Sequence, residues 1–310
     1  MPRLIETDSS GDIGLEELVE MLETGGFDAD DEESIAAFGP ALAALGNNRR
    51  FLSDLVIDEL KQHCSGQKAH NQYGAQVVLL HGSSKKFLIR ANFWPAASDS
   101  VVVNSGSDPF FYGVPHDHNF SFLTVGYLGP GYWSDYYEYD YEAVTGYEGE
   151  KVALRFVERS RLSQGKVMLY RRHRDVHSQL LPDSLSVSLN ILAMSPASEF
   201  RDQYRFDLER SEVRSIINPS GVSTLVRIAA HFGGDEGKGL VDDFARRHPS
   251  DRVRVAALRA QAAAAPDVDA RVAVFEAATG DSSRFVSAMA AREARQLQAT
   301  RSWIESGPAR

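Results

Sequence analysis

Cysteine is almost absent from this chain of 310 residues, which contains only Cys64 and so cannot form an internal disulfide. Basic residues number 33 against 43 acidic ones, and the net charge of −10 argues against a nucleic-acid or anionic-membrane surface. No apolar run approaches the roughly 20 residues that span a bilayer, and the acidic start lacks the features of a secretory signal. We therefore expect a cytoplasmic protein whose partners are small molecules, peptides or other proteins.

The pattern of apolar residues divides the chain into three segments. Residues 13–62 carry helical spacing, residues 76–195 contain short β-rich runs punctuated by glycine and proline, and the sequence after Pro219 is alanine-rich and helical. Strands without intervening helices favour antiparallel pairing, because parallel strands need long crossover connections. We predict a mainly β fold with helical flanks: N-terminal helices in residues 1–65, an antiparallel β-barrel or sandwich in residues 66–218, and a helical appendage in residues 219–310.

Two histidines one residue apart, His116 and His118, are the most informative feature that the chain does contain. Alternate side chains of an extended segment share a face, so the two imidazoles offer half of a metal site. A protein-bound transition metal needs at least three ligands, and a later strand of a barrel can supply the third. We choose His177, because it follows the turn-like Arg174 and Asp175 and precedes a strand.

The other histidines are not assigned to the metal. His173 lies beside three arginines and is interpreted as part of a solvated face. The remaining ones either precede the paired motif without matching spacing or belong to the C-terminal helical segment: His63, His70, His81, His231 and His248.

The sequence around the chosen histidines resembles the cupin family. The run GVPHDHNFSFLTVGYL is similar to the first cupin motif, and RDVHSQLLPDSLSVSLNIL is similar to the second. Cupins usually add a glutamate four or five positions after the second histidine, where this chain has Phe122 and Leu123. An all-histidine site is typical of the cysteine dioxygenase group of thiol dioxygenases, whose phrases PIHDH and GDIHRV resemble VPHDH and RDVHSQ here.

The resemblance covers residues 86–196 and implies a cupin jelly-roll barrel that binds Fe(II), or another divalent transition metal, through His116, His118 and His177. Three neutral imidazoles leave open positions for a bidentate substrate and dioxygen. Arg90, in the run FLIRAN, matches the arginine that binds the substrate carboxylate in this group. A guanidinium holds a carboxylate by a two-pronged ion pair, which would fix the substrate with its sulfur toward the metal.

Two positions depart from the dioxygenase pattern. Asn190 stands where the group carries a histidine, and Leu192 stands where it carries a tyrosine. Cys64 is too far upstream to match the cysteine that cross-links to that tyrosine. Asn190 is interpreted as a residue that hydrogen-bonds a metal-bound ligand or orients an imidazole, or as a buried structural asparagine. Either the reaction is retained with another substrate, or the barrel keeps its metal without the reaction.

A tyrosine-rich stretch, GYWSDYYEYDYEAVTGYEGE, occupies residues 131–150. If it is extended, Tyr137, Tyr139 and Tyr141 fall on one face and acidic residues fall on the other. The stretch is interpreted either as an aromatic wall or lid beside the metal, or as an amphipathic strand of the barrel.

The leading hypothesis is a metal-dependent cupin oxygenase, most specifically a non-heme iron dioxygenase that acts on a small-molecule or peptide substrate with dioxygen. One alternative is a non-catalytic metal-binding cupin, a sensor or scaffold, whose C-terminal helices bind a protein partner. Another is a 2-oxoglutarate-dependent hydroxylase, which normally pairs its first histidine with an aspartate or glutamate two positions later. The observed HDH disfavours it unless Asp117 turns inward.

Overall fold

The computed structural model describes residues 2–8, 10–63, 65, 76–82, 84–218 and 221–305. Cys64, His70 and Pro219, named above, lie outside these residues. The chain divides into two compact units. The β unit comprises Met1–Tyr141, Lys151–Glu199 and Gln203–Arg214, and the helical unit comprises Glu142–Glu150, Phe200–Asp202 and Ser215–Arg310. The three-segment division at residues 65 and 218 stays a prediction.

The runs rich in β-branched and aromatic residues form strands that pair in antiparallel fashion, as predicted. A six-stranded sheet has the order β1-β7-β4-β9-β3-β2, a three-stranded sheet has the order β6-β5-β8, and β10 pairs with β11. The strands are β1 Arg3–Ile5, β2 Val77–His81, β3 Phe87–Trp94, β4 Phe122–Leu128, β5 Trp133–Glu138, β6 Arg155–Arg161, β7 Val167–Tyr170, β8 Asp175–Gln179, β9 Ser186–Ala193, β10 Tyr204–Asp207 and β11 Glu212–Ile216.

The segment that carries the histidine pair links the two smaller sheets. His116 forms an antiparallel bridge with His177 of β8 on one side and with Arg205 of β10 on the other. The second layer therefore continues from β6 through β5 and β8 to β10 and β11. The fold combines antiparallel sheets with helices, as the sequence indicates; closure of the sheets into a barrel stays a prediction.

The two faces of the six-stranded sheet have different partners. Alternate residues of β9, such as Leu189 and Ile191, join the apolar cluster of the N-terminal helices, whereas Leu192 joins a second cluster that includes Tyr136 of β5. The helices are α1 Leu15–Thr24, α2 Glu32–Ala37, α3 Gly39–Asn47 and α4 Phe51–Lys61. The outer face is thus covered by helices, which leaves the inner face to line the space between the sheets.

A short helix, α5 Ser100–Ser105, also belongs to the β unit. The described part of the helical unit contains α6 Val222–Phe232, α7 Gly234–Arg247, α8 Asp251–Ala264, α9 Val268–Ala278 and α10 Arg284–Glu305. Their apolar faces form one buried cluster that includes Val241, Leu258, Phe275 and Val286. Among the helices described, none combines the length and the apolar character needed to cross a membrane.

Leu45 tests whether α3 and the six-stranded sheet form one core, because it is fully buried in the same cluster as Leu123 and Ile191. We expect Leu45→Ala to lower the free energy of unfolding by about 2 to 5 kcal/mol, since it removes buried carbons and leaves a cavity. The measurement is urea unfolding followed by circular dichroism. The control Ile57→Ala, on α4 and 49% exposed, should cost less than about 1 kcal/mol. Equally small effects of the two substitutions would contradict a shared core.

Candidate metal centre

The histidine pair lies in an extended segment just before β4, and backbone hydrogen bonds hold this segment. The amide of His116 donates to the carbonyl of His177 at 3.0 Å, and the amide of His177 donates back at 2.9 Å. The opposite edge of the segment pairs with β10. Residues that exchange both hydrogen bonds across an antiparallel pair project on the same side. This pairing brings the two histidine motifs, which are far apart in sequence, side by side.

The three predicted ligands come together. Nε2 of His118 lies 3.0 Å from Nε2 of His177, and Nε2 of His177 lies 3.2 Å from Nε2 of His116. Two imidazole nitrogens that each lie about 2.1 Å from one ion, at right angles, are about 3.0 Å apart. Among the described residues these three histidines form a group that could hold a metal ion. The spacing and the donor type fit a divalent transition metal.

The environment of the three rings keeps them neutral. His116, His118 and His177 are only 4%, 8% and 2% exposed. Burial lowers the pKa of His116 to about 4, and burial followed by the neighbouring imidazoles holds the pKa values of His118 and His177 well below their ordinary value. Neutral rings keep a lone pair available, so a metal ion need not displace a proton at neutral pH.

The Nδ1 atom of each ring has a polar neighbour. Nδ1 of His116 lies 2.8 Å from the carbonyl oxygen of Val114, which places the proton on Nδ1 and the lone pair on Nε2. The side-chain nitrogen Nε2 of Gln179 lies 3.2 Å from Nδ1 of His177 and 3.3 Å from its Nε2, and Nε2 of Gln203 lies 3.3 Å from Nδ1 of His118. An amide nitrogen at hydrogen-bond distance donates to a ring nitrogen and helps to orient the imidazole.

Sequence analysis missed both glutamines. Gln179 follows His177 by two positions in β8, so strand alternation already places the two side chains on one face and could have indicated it. Gln203 lies far along the chain, just before β10. The pairing of β10 with the histidine segment brings Gln203 to His118. No local sequence pattern predicts that pairing.

Asp117, between the two histidines, does not contribute to the group of ligand atoms. Its carboxylate accepts a hydrogen bond from the hydroxyl of Tyr139 at 2.6 Å and another from the amide of Tyr204, also at 2.6 Å. Asp117 is completely buried. The alternation of the extended segment turns this carboxylate away from the imidazoles, where it ties the segment to the chain beyond β5 and to β10.

Arg90 and Asn190 lie directly opposite each other on β3 and β9, and Asn190 also lies opposite Thr124 of β4. Directly opposed residues share a face of a sheet, and here it is the inner face, which Asn190 shares with Leu192. The charge of Arg90 contributes to the low pKa of His118, after burial and the other two histidines. Both residues thus lie on the wall beside the histidines, and their roles stay predictions.

Leu192, which stands where thiol dioxygenases carry a tyrosine, packs in the inner apolar cluster. Two tyrosines that the sequence analysis did not predict as site residues, Tyr136 and Tyr170, lie on the side of His177. The hydroxyls of Tyr136 and Tyr170 lie 2.8 Å apart, and the ring centroids of Tyr170 and His177 are 4.9 Å apart. Burial raises the pKa of Tyr136 to about 12 and that of Tyr170 well above its ordinary value, so both stay protonated.

The tyrosine-rich stretch is extended only as far as the end of β5. Tyr137 packs against Phe156 with ring centroids 5.3 Å apart, and Tyr139 binds the buried aspartate described above. Tyr141 lies in a short 3-10 turn and stacks on His173 with ring centroids 3.7 Å apart. His173 is only 7% exposed, so its interpretation as part of a solvated face is wrong.

The chain matches no protein-family model and no curated protein. Similar solved structures include a DMSP lyase from Ruegeria pomeroyi, at 13% identity over 40% of this chain and 52% of that one, with a TM-score of 0.23. Another is procruciferin, an 11S globulin from Brassica napus, at 8% identity over 40% of this chain and 27% of that one, with a TM-score of 0.26. A third is a structure of prolyl 4-hydroxylases from Phytophthora capsici, at 12% identity over 92% of this chain and 83% of that one, with a TM-score of 0.23. The chain spans about half the length of the DMSP lyase. Likenesses with such TM-scores carry no argument about function.

The metal-free protein should lose stability as the pH falls. The pKa of His116 is about 4 in the folded protein, compared with the ordinary value of 6.5 for an exposed histidine. Between pH 6.5 and pH 4 the unfolded chain therefore binds a proton that the folded protein does not, so acidification favours unfolding. We expect His116 to lower the free energy of unfolding by about 3 kcal/mol between about pH 7 and pH 4. Urea unfolding with a chelator, compared between wild type and His116→Gln, isolates this contribution. His231→Gln, at an exposed position of α6, is the control; identical pH profiles of wild type and His116→Gln would contradict the buried neutral ring.

Proposed function

We propose that this protein is a metal-dependent oxygenase of the cupin type, most specifically a mononuclear non-heme iron dioxygenase that oxidises a small or peptide thiol. The observation that carries the proposal is the convergence of three buried imidazoles, with Nε2 atoms 3.0 and 3.2 Å apart. The cupin-like motifs around His116 and His177 and the antiparallel sheets that hold them support the same class.

His116, His118 and His177 would hold the iron through Nε2. Iron held by three neutral imidazoles supplies open coordination positions for a substrate thiolate and dioxygen. Asp117, the carboxylate between the two histidines in sequence, accepts hydrogen bonds from Tyr139 and Tyr204. A thiolate substrate would therefore provide negative charge that the protein ligands do not.

Arg90 would anchor the substrate carboxylate by a two-pronged ion pair from the inner face of the six-stranded sheet. Asn190 and Thr124 lie in the same row across β3, β9 and β4 and can hydrogen-bond the same group. Atoms Nδ2 of Asn190 and Oγ1 of Thr124 are buried without a partner among the described residues, which suits groups that await a polar ligand. Fixing one end of the substrate positions its other end for reaction.

Aromatic side chains would close the reacting space to water. Phe122 stacks on Tyr170 with ring centroids 4.4 Å apart, and its ring centroid lies 4.9 Å from that of His118. The paired hydroxyls of Tyr136 and Tyr170 provide proton donors beside His177. This arrangement combines a largely apolar enclosure with a few placed polar groups, as small-molecule sites usually do.

A non-catalytic metal-binding protein, acting as a sensor or scaffold, is the second candidate. The observation that favours it is an apolar stripe on α6, where Leu225, Ile228 and Phe232 are 64%, 52% and 86% exposed. These residues follow helical spacing on one face and would suit a protein partner. Bound metal without thiol-dependent oxygen consumption would favour this candidate. A 2-oxoglutarate-dependent hydroxylase is disfavoured, because Asp117 turns away from the histidines.

The central test is the metal content of protein purified without added metal, followed by oxygen uptake with cysteine. We expect about one iron per chain, thiol-dependent oxygen consumption, and loss of both in His116→Ala and His177→Ala, since two imidazoles hold a transition metal poorly. His231→Ala, an exposed histidine of α6, is the matched control and should keep both. A wild type without metal, or unchanged metal in the two ligand variants, would refute the proposal.

Arg90 is tested with two thiols that differ by one carboxylate, cysteine and 2-aminoethanethiol. In Arg90→Gln we expect KM for cysteine to rise about ten-fold or more, because a charge-assisted ion pair is lost, while KM for 2-aminoethanethiol changes little. Arg246→Gln, an exposed arginine of α7, serves as the control. A parallel loss for both thiols would mean that Arg90 supports the fold and does not bind a carboxylate.

A further inference from the structure

A second arginine, Arg205, lies on β10, directly opposite His116 of the histidine segment. Arg205 of β10 is bridged directly to His116, which is bridged to His177, which lies opposite Tyr136 of β5. These four residues form a single row across neighbouring chain segments. Directly opposed residues project on the same face, so Arg205 leaves the backbone on the same side as the imidazole of His116.

The surroundings of Arg205 point to a missing acceptor. Its Nε atom is buried and has no hydrogen-bond partner among the described residues. A buried guanidinium donor without an acceptor costs free energy, and sites of this kind are completed by water or by a ligand. Its charge also contributes, after burial, to the low pKa of His116, which agrees with a position close to that ring.

Two carboxylates on the neighbouring segments accept hydrogen bonds from tyrosine and arginine groups. Asp117 accepts hydrogen bonds from Tyr139 and Tyr204, and Asp175, at the start of β8, accepts from the Arg171 guanidinium at 2.6 Å. A divalent ion on the three histidines would add positive charge beside Arg205, which favours a ligand that brings negative charge.

We propose that Arg90 and Arg205 form a two-point anion site on either side of the metal centre, and that the substrate is a small molecule with two anionic groups. Arg90 would bind one group from the wall of β3 and β9, and Arg205 would bind the other from β10. The class is a short dicarboxylate that carries the reacting thiol. This inference specifies the substrate class of the proposed dioxygenase. The anion site itself does not depend on the proposed function, but the oxidation of the bound thiol does.

The test is equilibrium binding of unreactive acids to the protein with its bound metal, measured anaerobically by calorimetry. The probes are malonate, succinate, glutarate and adipate, each compared with the monocarboxylate of the same number of carbons. We expect the best dicarboxylate to bind about ten-fold or more tightly than its matched monocarboxylate, the gain expected from a second charge-assisted contact. Arg205→Ala and Arg205→Gln should reduce this preference to about one-fold, and Arg205→Lys should keep part of it.

Arg214→Ala, an exposed arginine of β11, is the control and should keep the full preference. Thermal unfolding and metal content of every variant show whether it is folded and loaded. If Arg205→Ala fails to fold, Arg205→Gln and Arg205→Lys decide the matter. The proposal is overturned if wild type binds none of the dicarboxylates, if it binds both kinds of acid equally, or if the Arg205 variants keep the preference.

Oxygen uptake measured on the same preparations separates this inference from the proposed function. A wild type that prefers dicarboxylates through Arg205 but consumes no oxygen with cysteine or with mercaptosuccinate, a dicarboxylate thiol, retains the anion site and refutes the dioxygenase. A wild type that oxidises thiols while the Arg205 variants leave acid binding unchanged retains the dioxygenase and refutes the anion site.

Discussion

The reciprocal backbone hydrogen bonds between His116 and His177 are the contact on which the candidate centre depends. Two directly opposed residues of an antiparallel pair project their side chains on the same face. That pairing places two imidazoles side by side with Nε2 atoms 3.2 Å apart. Strand alternation then delivers His118 to the same face two residues later, with its Nε2 3.0 Å from that of His177. The pairing of His116 with His177 thus brings two motifs that are far apart in sequence together as one group of imidazole nitrogens.

Burial of this group has both a benefit and a cost. Removing the rings from water suppresses their protonation, which leaves three lone pairs for a metal ion at neutral pH. The same interior encloses polar atoms without partners among the described residues, including Oγ1 of Thr124 and Nδ2 of Asn190. Each such atom typically costs about 1 to 3 kcal/mol. The helices on the outer face of the six-stranded sheet provide compensating apolar burial, for example through Leu42 and Leu45.

Local sequence patterns predict the three candidate metal ligands. Long-range strand pairing determines the other residues around them, which the sequence alone does not predict. His116 and His118 could be placed on one face because strand alternation is a local rule, and Arg90 and Asn190 were found through resemblance to a known motif. Arg205 and Gln203 were not predicted as site residues, because their position near the histidines depends on the pairing of β10 with a segment about ninety residues earlier. His173 was wrongly assigned to a solvated face, since its arginine neighbours hid the stacking contact with Tyr141.

Phe122 stands at a position where the resemblance to cupins implies a carboxylate ligand, and this position connects the histidine group to the charge of the inner face. Of the two positions where cupins usually place a glutamate, Leu123 faces the outer core, whereas Phe122 faces inward and stacks on Tyr170. A glutamate at the inward position would lie one step along β4 from the row of Thr124, Asn190 and Arg90. Its charge would lie on the inner face beside that row and would repel an incoming anion. Phenylalanine leaves this position uncharged and covers the wall with apolar surface, which supports the proposal of an anionic ligand.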